Sequence, residues 1–240
     1  MGHSIRTHQN RIVTRITEHI TRLQERVETA ADLAGRDSQA ITIVAVSKKH
    51  PVAAMREAFS AGLTHFGENY LQEALPKIAE FASPVEWHFI GKAQSNKAGA
   101  IAGAFDWIHT VASERVARRL SSQRPDDRGD LQVCIQLAPD GADGRGGIIS
   151  STLPQLAELI EELPRLNLRG LMMMPLPGLA PVELSREFAR TSALRDELNR
   201  AGHHLDTLSM GMSGDLETAI MEGSTLIRVG TDIFGPRLYD

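Results

Sequence analysis

The sequence predicts a single-domain (β/α)8 barrel of the TIM type, 1–240, with an extra N-terminal helix within residues 1–38 packing on it. Three observations carry this expectation. Eight short apolar runs, at residues 41–47, 64–67, 86–91, 106–111, 131–137, 168–174, 207–211 and 226–230, read as strands. Segments of helical spacing lie between them, and no Pro/Gly/Ser-rich linker breaks the composition. Eight such units in about 200 residues favour a closed barrel over an open doubly wound sheet, which is the competing architecture.

Taken in order, Val13, Ile16, Ile20, Leu23 and Val27 recur at three- and four-residue steps and form one apolar stripe on the opening helix. Ile41 to Val46 is nearly continuous in β-branched residues, as expected of a strand buried on both faces of a parallel sheet. Pro51 suits the first turn of the next helix. Leu153, Leu156, Leu159, Ile160 and Leu163 mark a later helix. Leu184, Phe188, Leu194 and Leu198 mark another, with Gly202 as its stop. The stretch Ala138 to Gly147 has four glycines and no apolar anchor, and it is expected to be a mobile loop on the active face.

The bulk numbers exclude several classes of function. With 26 Lys+Arg against 30 Asp+Glu, the net charge of -4 provides no cationic field for nucleic acid. The single cysteine, Cys134, excludes an intramolecular disulfide and a multi-thiolate metal site. Neither a signal peptide nor an apolar run of spanning length is visible, so no membrane and a cytoplasmic location are expected. No H-E-x-x-H spacing occurs among the histidines, and no metal site is expected. His88, between Trp87 and Phe89, reads as a hydrogen-bonded core group, and Cys134 as an inert buried thiol.

A barrel enzyme carries its site at the carboxyl ends of its strands, and here those ends are polar. Lys48 follows the first run, where partly dry surroundings favour the neutral amine that attacks carbonyls, so a Schiff-base role follows. The plainer reading is that Lys48 or Lys49 simply ends the strand in solvent. Ser209 to Asp215, followed by Arg228-Val229-Gly230-Thr231, resembles an anion cradle, since barrels commonly bind phosphate after strands seven and eight. The plainer use of Ser213 is as an N-cap for a helix running to Glu222. Arg228 lies within the last run and needs an acceptor inside the barrel. A pyridine nitrogen or a buried ion pair would serve.

The motifs Ala45-Val46-Ser47-Lys48, Phe66-Gly67-Glu68-Asn69-Tyr70, Trp87-His88-Phe89-Ile90-Gly91, Gln94-Ser95-Asn96-Lys97, Leu208-Ser209-Met210-Gly211-Met212-Ser213 and Arg228-Val229-Gly230-Thr231 occur in one order along the chain. In them the sequence resembles the YggS/PROSC family of pyridoxal 5'-phosphate (PLP)-binding proteins, or PLP homeostasis proteins, whose fold is like the N-terminal barrel domain of alanine racemase. The resemblance implies that Lys48 carries PLP as a Schiff base, that Asn69 lies beside its ring and that Arg228 meets the pyridine nitrogen. It further implies that Ser213, Gly230 and Thr231, with Ser209 nearby, hold the phosphate. The chain departs from the family's usual pattern at Ala138, Arg145 and Ala93.

The implied function is PLP (vitamin B6) homeostasis with little or no turnover, by a monomer that could serve PLP-dependent apo-enzymes. A racemase needs a base on each face of the substrate carbon. The only tyrosines, Tyr70 and Tyr239, are not at strand ends, and the chain ends without the additional β-domain of the alanine racemases. A PLP-dependent racemase or decarboxylase, and a PLP-independent phosphate-binding barrel enzyme, are the alternatives.

Overall fold

A computed structural model describes residues 3–139 and 146–236, with side chains described from residue 15 onward. The middle of the glycine-rich loop, Arg145 and Tyr239 therefore lie outside the described residues. The chain opens with α1 (His3–Leu33) and continues through β1 (Thr42–Val46), α2 (Val52–Ser60), β2 (His65–Glu68), α3 (Leu71–Glu80), β3 (Glu86–Phe89) and α4 (Ala98–Ala104). Then follow β4 (Trp107–Val111), α5 (Glu114–Gln123), β5 (Leu131–Leu137), α6 (Leu153–Glu162), β6 (Leu166–Met173) and α7 (Pro181–Arg200). The last elements are β7 (Thr207–Ser209), α8 (Leu216–Met221), β8 (Leu226–Val229) and α9 (Thr231–Phe234).

All eight strands are parallel, and β8 pairs with β1, so the sheet is the closed barrel expected from the sequence. The main apolar core lies between the strands and the helices and is contributed by residues such as Phe66, Phe89, Ile108, Phe188 and Ile227. Burial of such side chains, at about 25 cal/mol per Å² of apolar surface, dominates the stabilisation. Ile16, Ile20, Leu23, Val27, Ala30 and Ala31 extend this core along α1, which lies against α2, α8 and α9.

The inner face of the barrel is different. Register partners in a parallel sheet share a face. The pairs His65↔Glu86, Gly67↔His88, His88↔Trp107, Met172↔Ser209 and Val44↔Arg228 thus point inward together. A small cluster of Trp107, Cys134 and Met172 is the apolar part of this interior, and three histidines, a serine and an arginine fill much of the rest. Burial pushes the Cys134 thiol up to about 12, so it stays protonated there.

Some boundaries differ from the sequence reading. β7 stops at Ser209 because Gly211 adopts φ +97°, where a Cβ would come within 2.7 Å of the Ala219 side chain. α8 begins only at Leu216, after Asp215, so Ser213 is not the cap of this helix. Among the described residues, no helix is long and apolar enough to cross a membrane.

Candidate functional site at the carboxyl ends of four adjacent strands

Lys48 stands two residues beyond the end of β1, half-buried, while Lys49 is exposed. Several bonds fix the backbone around it. The Ser47 N–H donates to the Gly67 carbonyl at 3.0 Å, and the His50 N–H donates to the Ser47 carbonyl at 3.0 Å. The Ser47 hydroxyl donates to Glu68 Oε1 at 2.7 Å. Lys49 turns at φ +63°, a left-handed conformation uncommon outside glycine, and its N–H donates to the Glu73 carboxylate.

A second lysine organises these groups. Lys77, from α3, is buried and donates to the Ser47 carbonyl at 2.8 Å, to Glu68 Oε1 at 2.7 Å and to Glu73 Oε1 at 2.6 Å. Three oxygens therefore take its three N–H donors. Lys77 is a strut under the turn that carries Lys48 and Lys49.

Asn69 follows β2, and its Oδ1 is buried without a hydrogen-bond partner. Leaving such an atom unmatched costs about 1–3 kcal/mol, and its lone pairs remain available to a polar partner. Beside it, Gly91 comes so close that a Cβ would fall 2.0 Å from the Asn69 carbonyl oxygen. The Thr110 hydroxyl holds the Gly91 carbonyl at 2.6 Å.

The loops after β7 and β8 complete the rim on the other side of β1. Gly230 precedes α9, and a Cβ there would be 3.3 Å from the Val46 carbonyl oxygen, so this loop abuts the end of β1. The His50 ring stacks on Phe234 at 4.9 Å. Arg26 of α1 ties the two loops together: it donates to the Ser213 carbonyl at 3.0 Å, to Asp232 at 2.5 Å and to Glu217 at 2.6 Å. Ser213 and Gly230 are half-buried, and Thr231 is exposed.

Arg228 and Ser209 lie below this rim, inside the barrel. Arg228 donates through Nη1 to the Ser209 carbonyl and hydroxyl, both at 2.6 Å, and through Nη2 to the Met173 carbonyl at 3.1 Å. Burial lowers its pKa to about 10, which leaves it charged at neutral pH. Ser209 Oγ also lies 2.7 Å from His109 Nδ1. Its hydroxyl is thus shared by Arg228 and His109, a layer beneath the loops after β7 and β8.

Lys48, Asn69, Ser209, Ser213, Arg228, Gly230 and Thr231 therefore collect at the ends of β7, β8, β1 and β2, which are contiguous in the closed barrel. The sequence reading did not single out Glu68, Lys77, Arg26 or His109. The Glu73–Lys77 spacing of four was the one visible signal, and it reads equally as a surface helix pair.

The alanine racemase N-terminal domain family matches residues 19–237. The pyridoxal phosphate homeostasis protein of Pseudomonas aeruginosa is 49% identical over 225 residues, covering 93% of this chain and 96% of that protein. The chain belongs to this family. Its namesake in Escherichia coli K12 is 43% identical over 231 residues, covering 93% of this chain and 97% of that protein. Among solved structures, PipY of Synechococcus elongatus with PLP bound superposes with a TM-score of 0.75 at 38% identity, covering 88% of this chain and all of that one. The alanine racemase of Corynebacterium glutamicum, at 17% identity and a TM-score of 0.68, shares the fold, with this chain spanning 62% of its length. Members of the homeostasis family and the racemases thus have one barrel in common.

Proposed function

We propose that this protein binds PLP reversibly and serves intracellular vitamin B6 homeostasis, with little or no turnover of its own. The observation that carries this reading is the convergence of Lys48 and the loops after β7 and β8 on four neighbouring strand ends. When bound, PLP supplies an aldehyde that an amine can capture and a ring that can act as an electron sink.

In this reading Lys48 is the capturing amine, held in place by the Ser47–Glu68–Lys77 network. Asn69 lies beside the ring, and its unmatched Oδ1 fits a polar ring substituent. Arg228 faces the pyridine nitrogen, and its retained charge discourages protonation of the ring and so weakens it as an electron sink. Ser213, Gly230 and Thr231 hold the phosphate, and Ser209 contributes from below by holding Arg228. Release from 213 of the helix-capping task supports this assignment. The relatives' printed names and the PLP-bound PipY structure support the choice of cofactor. A cytoplasmic monomer that hands PLP to apo-enzymes is the physiological form of this proposal.

Incubation with PLP, reduction with borohydride and peptide mass spectrometry test it. A reduced adduct on Lys48, absent in Lys48→Ala, is expected. An adduct on Lys49 or Lys77 instead, or none on the wild type, overturns the assignment.

A further inference from the structure

At the opposite, N-terminal mouth of the barrel, His65 and Glu86 are the first residues of β2 and β3 and are register partners, and His88 stands two residues further along β3. The pleat places all three side chains on the inner face. His65 Nδ1 lies 3.0 Å from His88 Nε2 and 3.7 Å from Glu86 Oε2, and the three donor atoms all fall within 4.8 Å of one another. A tetrahedral ion bound at about 2.0–2.1 Å needs donors roughly 3.3 Å apart, so the two His65 pairs need only small shifts, and the half-exposed Glu86 carboxylate can turn to close the third. We propose that His65 Nδ1, His88 Nε2 and Glu86 Oε2 form a site for a divalent transition-metal ion of the Zn2+ class, with a fourth position open to solvent.

The surroundings match what such a site requires. A cleft of about 310 Å³, lined by His65, His88, Trp107, Arg169 and Asp206 among others, gives entry from the barrel mouth. The Glu86 side chain is about half exposed, so an ion reaches it without unfolding. The far ring nitrogen of His88, Nδ1, lies 2.9 Å from His109 Nε2, which orients the ring as partners behind metal-bound histidines do. The His88 ring also stacks on Trp107 at an interplanar angle of 15°. Trp107 Nε1 donates to Glu86 Oε2 at 2.6 Å and fixes the carboxylate. Burial keeps His88 well below the ordinary histidine range, so its lone pair is available at neutral pH.

Charge and donor type narrow the ion. Arg169 is nearby, over the Trp107 ring at 5.0 Å, but Asp206 pairs with it at 2.6 Å and cancels its repulsion. Two imidazoles and one carboxylate suit Zn2+, Co2+, Ni2+ or Cu2+, whereas Mg2+ and Ca2+ seek oxygen donors. Without an ion, the 3.0 Å contact between His65 and His88 is a hydrogen bond sharing one proton. Metal uptake requires that proton to move to a far ring nitrogen, so that both imidazoles stay neutral and turn lone pairs to the ion. The H-E-x-x-H spacing sought in the sequence belongs to a single helix, whereas these donors come from two neighbouring strands. The proposal does not rest on the PLP reading, since none of its residues lies at the carboxyl-terminal rim.

Full-length protein stripped with EDTA and titrated with ZnSO4 by calorimetry provides the test, with native mass spectrometry for stoichiometry. One Zn2+ per chain with a Kd of about 1 µM or tighter is expected. His65→Ala and Glu86→Gln should each weaken binding at least about tenfold. Absence of binding in the wild type, or equal binding in both variants, overturns the proposal and in the second case moves the ion to other histidines. Should a variant lose its fold by circular dichroism, Co2+ titration of the wild type decides. The intense visible bands of a four-coordinate ion support the site, and weak six-coordinate bands overturn it.

Discussion

Lys77 braces, from below, the turn that carries Lys48. Lys77 and Glu68 are both buried, so their pairing has to offset the loss of water around two charges. Burial pushes the Glu68 carboxyl up from its ordinary range, and Lys77 pulls it back. Because that value is raised, the associated stability is complete below the ordinary carboxylate range and is lost as pH rises through the raised value. Lys77→Met removes the pull and extends the loss. The variant's deficit should therefore be small near roughly pH 4 and reach about 3–5 kcal/mol at neutral pH, read from urea midpoints. A deficit independent of pH would show that Lys77 acts by packing alone. Lys48 could be named as a candidate from the sequence because it follows an apolar strand run, although position alone did not separate it from Lys49. Lys77 could not, since its partners Ser47 and Glu68 come from other elements that only the folded barrel brings together.

At the level of elements, strands were the most legible part, because a β-branched run buried on both faces has few other uses. Helix starts were less so. Ser213 resembles an N-cap locally, yet Asp215 occupies that position and its carboxylate accepts the Met212 N–H at 2.5 Å. The competing demand is the Gly211 turn, which swings the loop over the end of β8 before a helix can begin: the Arg228 N–H donates to the Gly211 carbonyl at 2.9 Å. The opening helix was recognised as an amphipathic stripe, but its second task was invisible. Arg26, at the edge of that stripe, holds both loops of the proposed phosphate site. Arg26→Ala should lower stability by about 1–2 kcal/mol, as partly exposed ion pairs contribute little each. Hydrogen exchange should quicken selectively at residues 211–215 and 230–233, and PLP retention should weaken. Unchanged exchange in those loops would show that α1 merely covers the barrel.

For the whole molecule, closure decides how the parts depend on one another. Every strand has a neighbour on both sides, so no edge is available from which the sheet could unzip. The principal core is continuous, running from the strands through the helices to Leu23 and its neighbours on α1. A helix that shares its core with β1 and β8 through α2, α8 and α9 cannot leave without exposing them. The barrel interior adds no separate apolar core of comparable extent, being largely polar. Leu23 is almost fully buried, so Leu23→Ala should cost about 2–5 kcal/mol through lost contacts and the cavity left behind. The decisive readout is the agreement of two probes during urea unfolding. Trp87 and Trp107 sit in the strands and report the barrel, whereas far-ultraviolet ellipticity is weighted towards helices, of which α1 is the longest. If helix and barrel form one cooperative unit, both transitions move together to lower urea in the variant. If only the ellipticity moves, α1 is an independent appendage, and Arg26 could not transmit order to the loops it grips.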